Sequence, residues 1–139
     1  MEDGELRQAL AVLDTYNAQL EALTRQVQML QMSLEETTKA REAFKALADA
    51  KEGDEILVPV GASSYIPVKI SGKKSAIIGV GSKIAVEKDL DDAIEFTAAN
   101  GNTISEALKK TVNALSDLER RAAELTALVQ QEYSNRQIE

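Results

Sequence analysis

Three short segments of this 139-residue chain carry residue types whose spacing could do chemistry. Gly79-Val80-Gly81-Ser82-Lys83-Ile84 has the first two glycines of a dinucleotide-binding loop, but Ile84 stands where the third is needed, and the segment leads into a strand pattern instead of a helix. Gly72-Lys73-Lys74-Ser75 resembles the end of a phosphate loop. However, Lys74 replaces the hydroxyl residue that follows the lysine, and Pro67 occupies the position of the earlier glycine. Both segments read as turns. Glu87, Asp89, Asp91 and Asp92 form an acidic cluster without the alternating ligands and central glycine of a calcium loop, and the start of a helix accounts for them. The chain has no His and no Cys, so histidine-based triads, thiol nucleophiles and the usual zinc sites are out of reach. No catalytic residue, metal or cofactor is expected.

The elements around these segments carry more information. Leu6, Ala9, Leu13, Tyr16, Leu20, Leu23, Val27, Leu30, Leu34, Thr37, Arg41, Phe44 and Ala48 step by three and four residues. So do Glu87, Leu90, Ile94, Thr97, Gly101, Ile104, Leu108, Thr111, Leu115, Leu118, Ala122, Leu125 and Val129. Both series have the 3.5-residue period of a coiled coil. The spacing predicts one helix over residues 5–48 and a second over 89–133, each about 65 Å long at about 1.5 Å per residue. Gly4 should lie just outside the first helix, Asp89 should cap the second, and Asp91 and Asp92 should fill its first turn. Asn100-Gly101-Asn102 is a turn signal, yet the register crosses it without a phase shift, so a continuous helix is expected, bent at most.

Between the helices, Ile56–Val60, Tyr65–Ile70, Ala76–Val80 and Lys83–Val86 read as four strands in two hairpins. Gly81-Ser82 suits a type II′ turn, and Pro59 and Pro67 should sit at edges or bulges because they lack an N–H. A unit of four short strands is marginal alone, and its open edges invite pairing, which points to an oligomerisation element. Equal helices joined by compact hairpins should pack antiparallel, with both termini at one tip. Beside the seam, Leu10, Val12, Leu128, Tyr133 and Ile138 add apolar surface near that tip, which serves either binding or a wider contact within the hairpin of helices.

The bulk numbers narrow the class. A net charge of −7 argues against nucleic acid or an anionic membrane as partner. No apolar run approaches the ~18 residues of a membrane span. An acidic start without a signal core and the lack of cysteine fit a cytoplasmic protein.

Leu57-Val58-Pro59-Val60-Gly61-Ala62-Ser63-Ser64-Tyr65-Ile66-Pro67 resembles the first hairpin of prefoldin alpha-type subunits. Ile78-Gly79-Val80-Gly81-Ser82-Lys83-Ile84-Ala85-Val86-Glu87-Lys88 is similar to the second, and the likeness spans essentially the whole chain. It implies one α+β domain over residues 1–139, a long antiparallel two-helix coiled coil with two central β-hairpins over 55–87. It implies an ATP-independent chaperone subunit, in a hexamer of two alpha and four beta-type subunits, that captures unfolded proteins and hands them to a group II chaperonin. By position, Leu57, Val58, Val60, Tyr65, Ile66, Val68, Ile77, Ile78, Val80, Ile84 and Val86 would serve assembly. Leu6, Leu10, Val12, Leu13, Leu125, Leu128, Val129 and Tyr133 would form the client-binding tip. The alternative is a filament-forming structural relative of the gamma type, in which the same strand edges pair endlessly.

Overall fold

The structure is a computed structural model that describes residues 1–138, with the side chain of Ile138 outside the description. Two long helices bracket four short strands: α1 (Asp3–Asp49), β1 (Glu55–Gly61), β2 (Ser64–Lys69), β3 (Ser75–Gly81), β4 (Ile84–Asp89) and α2 (Leu90–Ile138). The chain divides into two compact units, Met1–Ser33 with Ile104–Glu139, and Leu34–Thr103.

Helix α1 contains no proline, and the Asp3 and Glu5 carboxylates lie in its first turn, where the helix dipole favours them. It begins two residues before the expected start and takes in Gly4. The first-turn amides lack helical acceptors in any case, so a glycine is tolerated there. Helix α2 runs without a break through Asn100-Gly101-Asn102 and past Tyr133 to Ile138. Arg136 in its last turn complements the dipole and explains the added length. Asp89 closes β4, and Asp91 and Asp92 occupy the first turn of α2.

The apolar series mark the buried stripes with two corrections. In α1 every position of the series is withdrawn from solvent except Arg41, which is exposed, while Ala40 takes the half-buried place. A guanidinium gains by staying in water, so the stripe steps from Thr37 to Ala40 to Phe44. In α2 the stripe holds from Leu90 to Val129, but Glu87 lies in β4 and is exposed. Ala93, outside the series, is fully buried at 0% exposure. Two threonines are buried among these apolar residues. Their hydroxyls donate back to their own helix, Thr97 to the Ala93 and Ile94 carbonyls at 2.9 and 3.0 Å and Thr111 to Ala107 at 2.8 Å. Each polar group is therefore satisfied locally.

In the first unit the start of α1 packs antiparallel against the end of α2. Leu6, Ala9 and Val129 form a buried cluster, flanked by the half-buried Leu13 and Leu125. Burying a leucine or valine of this kind contributes about 1.5–3 kcal/mol.

The second unit holds both hairpins, each a separate two-stranded antiparallel sheet, β1-β2 and β3-β4. The residue pairs run from Glu55↔Lys69 to Pro59↔Tyr65 and from Ser75↔Asp89 to Gly79↔Ala85. Register shifts at Pro59/Gly61 and Gly79/Gly81 leave Val60 and Val80 as bulges. The turn residues are Ala62-Ser63 and Ser82-Lys83, all at positive φ between 51° and 61°. The second turn is thus type I′, one residue later than the Gly81-Ser82 type II′ turn expected. Gly81 keeps a positive φ of 101°, but spends it on the bulge, as Gly61 does at 98°.

Candidate interaction surfaces

The hairpins are unusual in what they leave uncovered. Residues on alternate positions of a strand face opposite sides of the sheet. In β1 and β2 one side carries Ile56, Val58, Ile66 and Val68, and the other carries Leu57, Pro59, Tyr65 and Pro67. Both sides are therefore apolar. Of the eleven assembly residues read from the sequence, Ile78 is buried and Val58 half-buried. The remaining nine are exposed, led by Ile77 at 76%, Leu57 at 65% and Tyr65 at 61%. Isolated exposed apolar residues are ordinary, but nine within two hairpins are a concentration of uncovered apolar surface that a chain on its own rarely carries.

The backbone of the hairpins can be sorted as well. Ile70 N–H donates to Asp54 at 2.8 Å, and Leu90 N–H donates to Lys74 at 3.1 Å. These bonds fix the alternation along each ladder. Pairs 56/68 and 58/66 are hydrogen-bonded, whereas 57/67 and 59/65 are not, so Pro59 and Pro67 both fall where the missing N–H would have pointed outward. The prolines cost the hairpin nothing and blunt both of its outer edges.

A polar corner beside β3 holds the unit together. The Lys74 ammonium donates to the Leu47 carbonyl at 2.8 Å, to Ala48 at 3.4 Å, and to Ala50. These are carbonyls at the C-terminus of α1, whose last turn contains no basic residue of its own. The lysine set aside in the sequence as turn chemistry is thus the cap of a helix nearly thirty residues upstream. No local pattern could reveal this. Lys73 pairs with Glu87 at 2.6 Å, and the Ser75 hydroxyl donates to the same carboxylate at 2.9 Å. Together, with Lys73 foremost, they hold the Glu87 carboxyl below its ordinary pKa. The Lys88 ammonium lies 5.6 Å from the centre of the Phe96 ring.

At the terminal end of the first unit, the eight tip residues divide. Leu6, Leu13, Leu125 and Val129 serve the seam, whereas Leu10, Val12, Leu128 and Tyr133 are exposed. The seam is closed over by charges that the sequence reading missed. Arg136 donates to Asp3 at 2.8 Å, to Glu132 at 3.0 Å and to the Met1 carbonyl at 3.1 Å. The Met1 amine meets the second oxygen of Glu132 at 3.4 Å. The bond from Arg136 leads in lowering the Glu132 pKa, and Glu132 followed by Asp3 raises that of Arg136. An arginine in the last turn was the available signal.

A surface depression of about 270 Å³ is lined by Ala48, Lys74, Asp89, Leu90 and Asp91. Among the described residues no group of three His, Cys, Asp or Glu side chains is placed to hold a metal ion, and no helix is long and apolar enough to cross a membrane.

Comparison with known proteins identifies the architecture. The chain is 35% identical to the prefoldin subunit alpha of Pyrococcus horikoshii over 91% of its own length and 86% of the relative's. It is 35% identical to that of Methanothrix thermoacetophila over 78% and 71%. Among solved structures, the prefoldin beta subunit of Thermococcus strain KS-1 superposes with a TM-score of 0.61 at 20% identity, covering 92% of this chain and 91% of that one. The cryo-EM structure of filamentous PFD from Methanocaldococcus jannaschii gives 0.55 at 24%, covering 88% and 95%. Both show a shared fold. The family described as Prefoldin subunit matches residues 16–135, so the chain belongs to the prefoldin family of chaperone subunits.

Proposed function

We propose that this chain is the alpha-type subunit of a non-enzymatic, ATP-independent holdase. The nine exposed apolar residues of the hairpins carry the reading, because the chain cannot cover them itself and another subunit can. The hairpins join beta-type subunits in a hetero-hexamer of two alpha and four beta chains. The exposed tip residues Leu10, Val12, Leu128 and Tyr133, with Leu6, Leu13, Leu125 and Val129 behind them, bind unfolded clients. Several weak tips acting together give avidity without any strong single contact. The client then passes to a group II chaperonin in the cytoplasm. The acidic balance of the chain makes nucleic acid and anionic membranes poor partners.

The test is to mix the chain with a beta-type subunit, measure the mass of the complex, and follow aggregation of a denatured client without ATP. Truncation from Leu125 onward should abolish suppression while the complex still forms. Unchanged suppression would refute the tip assignment. The unpaired strand edges also support a second reading, a filament like that of the Methanocaldococcus jannaschii protein. Electron microscopy of the chain alone separates the two, since long fibres favour the filament and discrete particles the hexamer.

A further inference from the structure

Asn100-Gly101-Asn102 is a turn-type sequence held inside α2. An asparagine followed by glycine exposes its side-chain amide to attack by the next backbone nitrogen, because glycine has no Cβ to block the approach. The chain has the asparagines Asn17, Asn100, Asn102, Asn113 and Asn135, and Asn100 alone precedes a glycine. Asn100 is exposed, so water reaches its amide.

The helix restrains this chemistry. It holds the Gly101 nitrogen away from the Asn100 Cγ and commits its N–H to the Thr97 carbonyl, four residues back. That restraint is locally weak. Asn100, Gly101, Asn102 and Thr103 are successive poor helix formers. Gly101 falls on the buried stripe but brings no side chain to it, and the nearest group to the position of a Cβ is the Thr37 methyl at 3.9 Å. The Thr97 hydroxyl donates back to Ala93 at 2.9 Å and that of Thr103 to Ala99 at 3.2 Å, a pattern that loosens and bends helices.

We infer that Asn100 is a deamidation site whose rate is set by local opening of the α2 turn around Gly101. In the open turn the Gly101 nitrogen attacks the Asn100 Cγ, and its proton passes through water to the departing group. A C–N bond forms, the Cγ–Nδ2 bond breaks, and the side-chain nitrogen leaves as ammonia. Water then adds to one of the two imide carbonyls. Cleavage on one side gives aspartate. Cleavage on the other gives isoaspartate, whose main chain runs through Cβ and is longer by one methylene. Either product adds a negative charge, and isoaspartate cannot restore the hydrogen-bond ladder across residues 97–103.

The test follows the full-length chain at mildly alkaline pH by peptide mass spectrometry, native and in denaturant. In the native chain Asn100 should be converted ahead of Asn17 and Asn113, which are also exposed within helices but precede alanine. In denaturant it should be converted faster still. The native rate tracks the open population, so the slowdown on folding should match the hydrogen-exchange protection of the Gly101 amide within about tenfold. Gly101→Ala should slow native conversion about two- to five-fold more than it slows conversion in denaturant, because alanine also holds the turn closed. The purified isoaspartate form should lose exchange protection over residues 97–103 and keep it at Leu6–Leu13. Asn100 lagging behind Asn17 and Asn113 in the native chain overturns the inference. So do equal rates in the native and denatured chains, a slowdown outside the range set by the Gly101 amide, or an isoaspartate form with its protection intact.

Discussion

Removing the Lys74 ammonium should unfasten the C-terminal turn of α1. In Lys74→Met the aliphatic stem is kept, and the backbone carbonyl that accepts from Leu90 is untouched. What is lost is one well-formed charged bond to Leu47 at 2.8 Å, a long one to Ala48 at 3.4 Å and the contact with Ala50. A hydrogen bond to a charged group contributes about 1.5–3 kcal/mol, and a cation at a helix C-terminus about 0.3–1 kcal/mol. Lys74 is exposed, so water replaces part of both. The net loss should be about 1–2 kcal/mol, felt locally because few other groups hold that turn.

Hydrogen exchange is the appropriate assay, since a chain of two units need not unfold in one step. The Ala50 amide, which donates to Ala46 at 3.1 Å, and its neighbours in the last turn should exchange about five- to thirty-fold faster in Lys74→Met. The Leu6–Leu13 amides of the first unit should not change. Unchanged protection at Ala50 would refute the capping argument. Uniform acceleration along α1 would show that Lys74 acts on global stability instead.

Other outcomes follow from named residues. Gly101→Ala should stabilise α2 by about 0.5–1 kcal/mol, because a Cβ there would meet only the Thr37 methyl at 3.9 Å; thermal unfolding checks it, and a lower midpoint refutes it. Ala62→Asn with Ser63→Gly should stabilise the first hairpin, because both positions have positive φ, which asparagine and glycine accept more readily, and exchange of the β1 and β2 amides should slow. Leu6→Ala should cost about 2–5 kcal/mol in the terminal seam, read as faster exchange around Val129. The Glu132 pKa is lowered in the folded chain, so its bonds to Arg136 and Met1 stabilise the terminal end above the ordinary carboxylate pKa. That stabilisation should fade as pH falls through the lowered value, and Arg136→Met should remove most of this dependence in the exchange of the terminal amides.

The helices, hairpins and seam were legible because each follows from a periodic rule. The exceptions have physical causes. Arg41 matched the period but not the chemistry of a buried stripe, and Ala40 replaced it. The second turn was misplaced because a glycine signals positive φ without saying whether the turn or the adjoining bulge uses it. Lys74 and Arg136 act on residues far away in the chain, the helix end at Leu47–Ala50 and the N-terminal Met1 and Asp3. Long, flexible cations leave no periodic trace of their partners.

The division of the tip residues and the pattern of the hairpins support one argument. A seam between two helices covers one stripe on each, so Leu6 and Val129 are spent on folding while Leu10 and Leu128 remain for something else. A two-stranded hairpin is more demanding, because it has two faces and two edges. Where only one face is apolar, a single covering layer suffices. In β1-β2 both faces are apolar, the pattern of strands covered on both sides. Within the hairpin, cross-strand pairing satisfies one edge of each strand and covers neither face. Under the proposed assembly that protection would come from other chains, and the edges would limit how they approach. Prolines at 59 and 67 discourage strand addition to the first hairpin while leaving its faces free to pack, whereas β3 keeps a bare edge. The two hairpins, nearly equal in length, thus differ in their outer edges, with proline on both edges of the first and neither proline nor charge along β3.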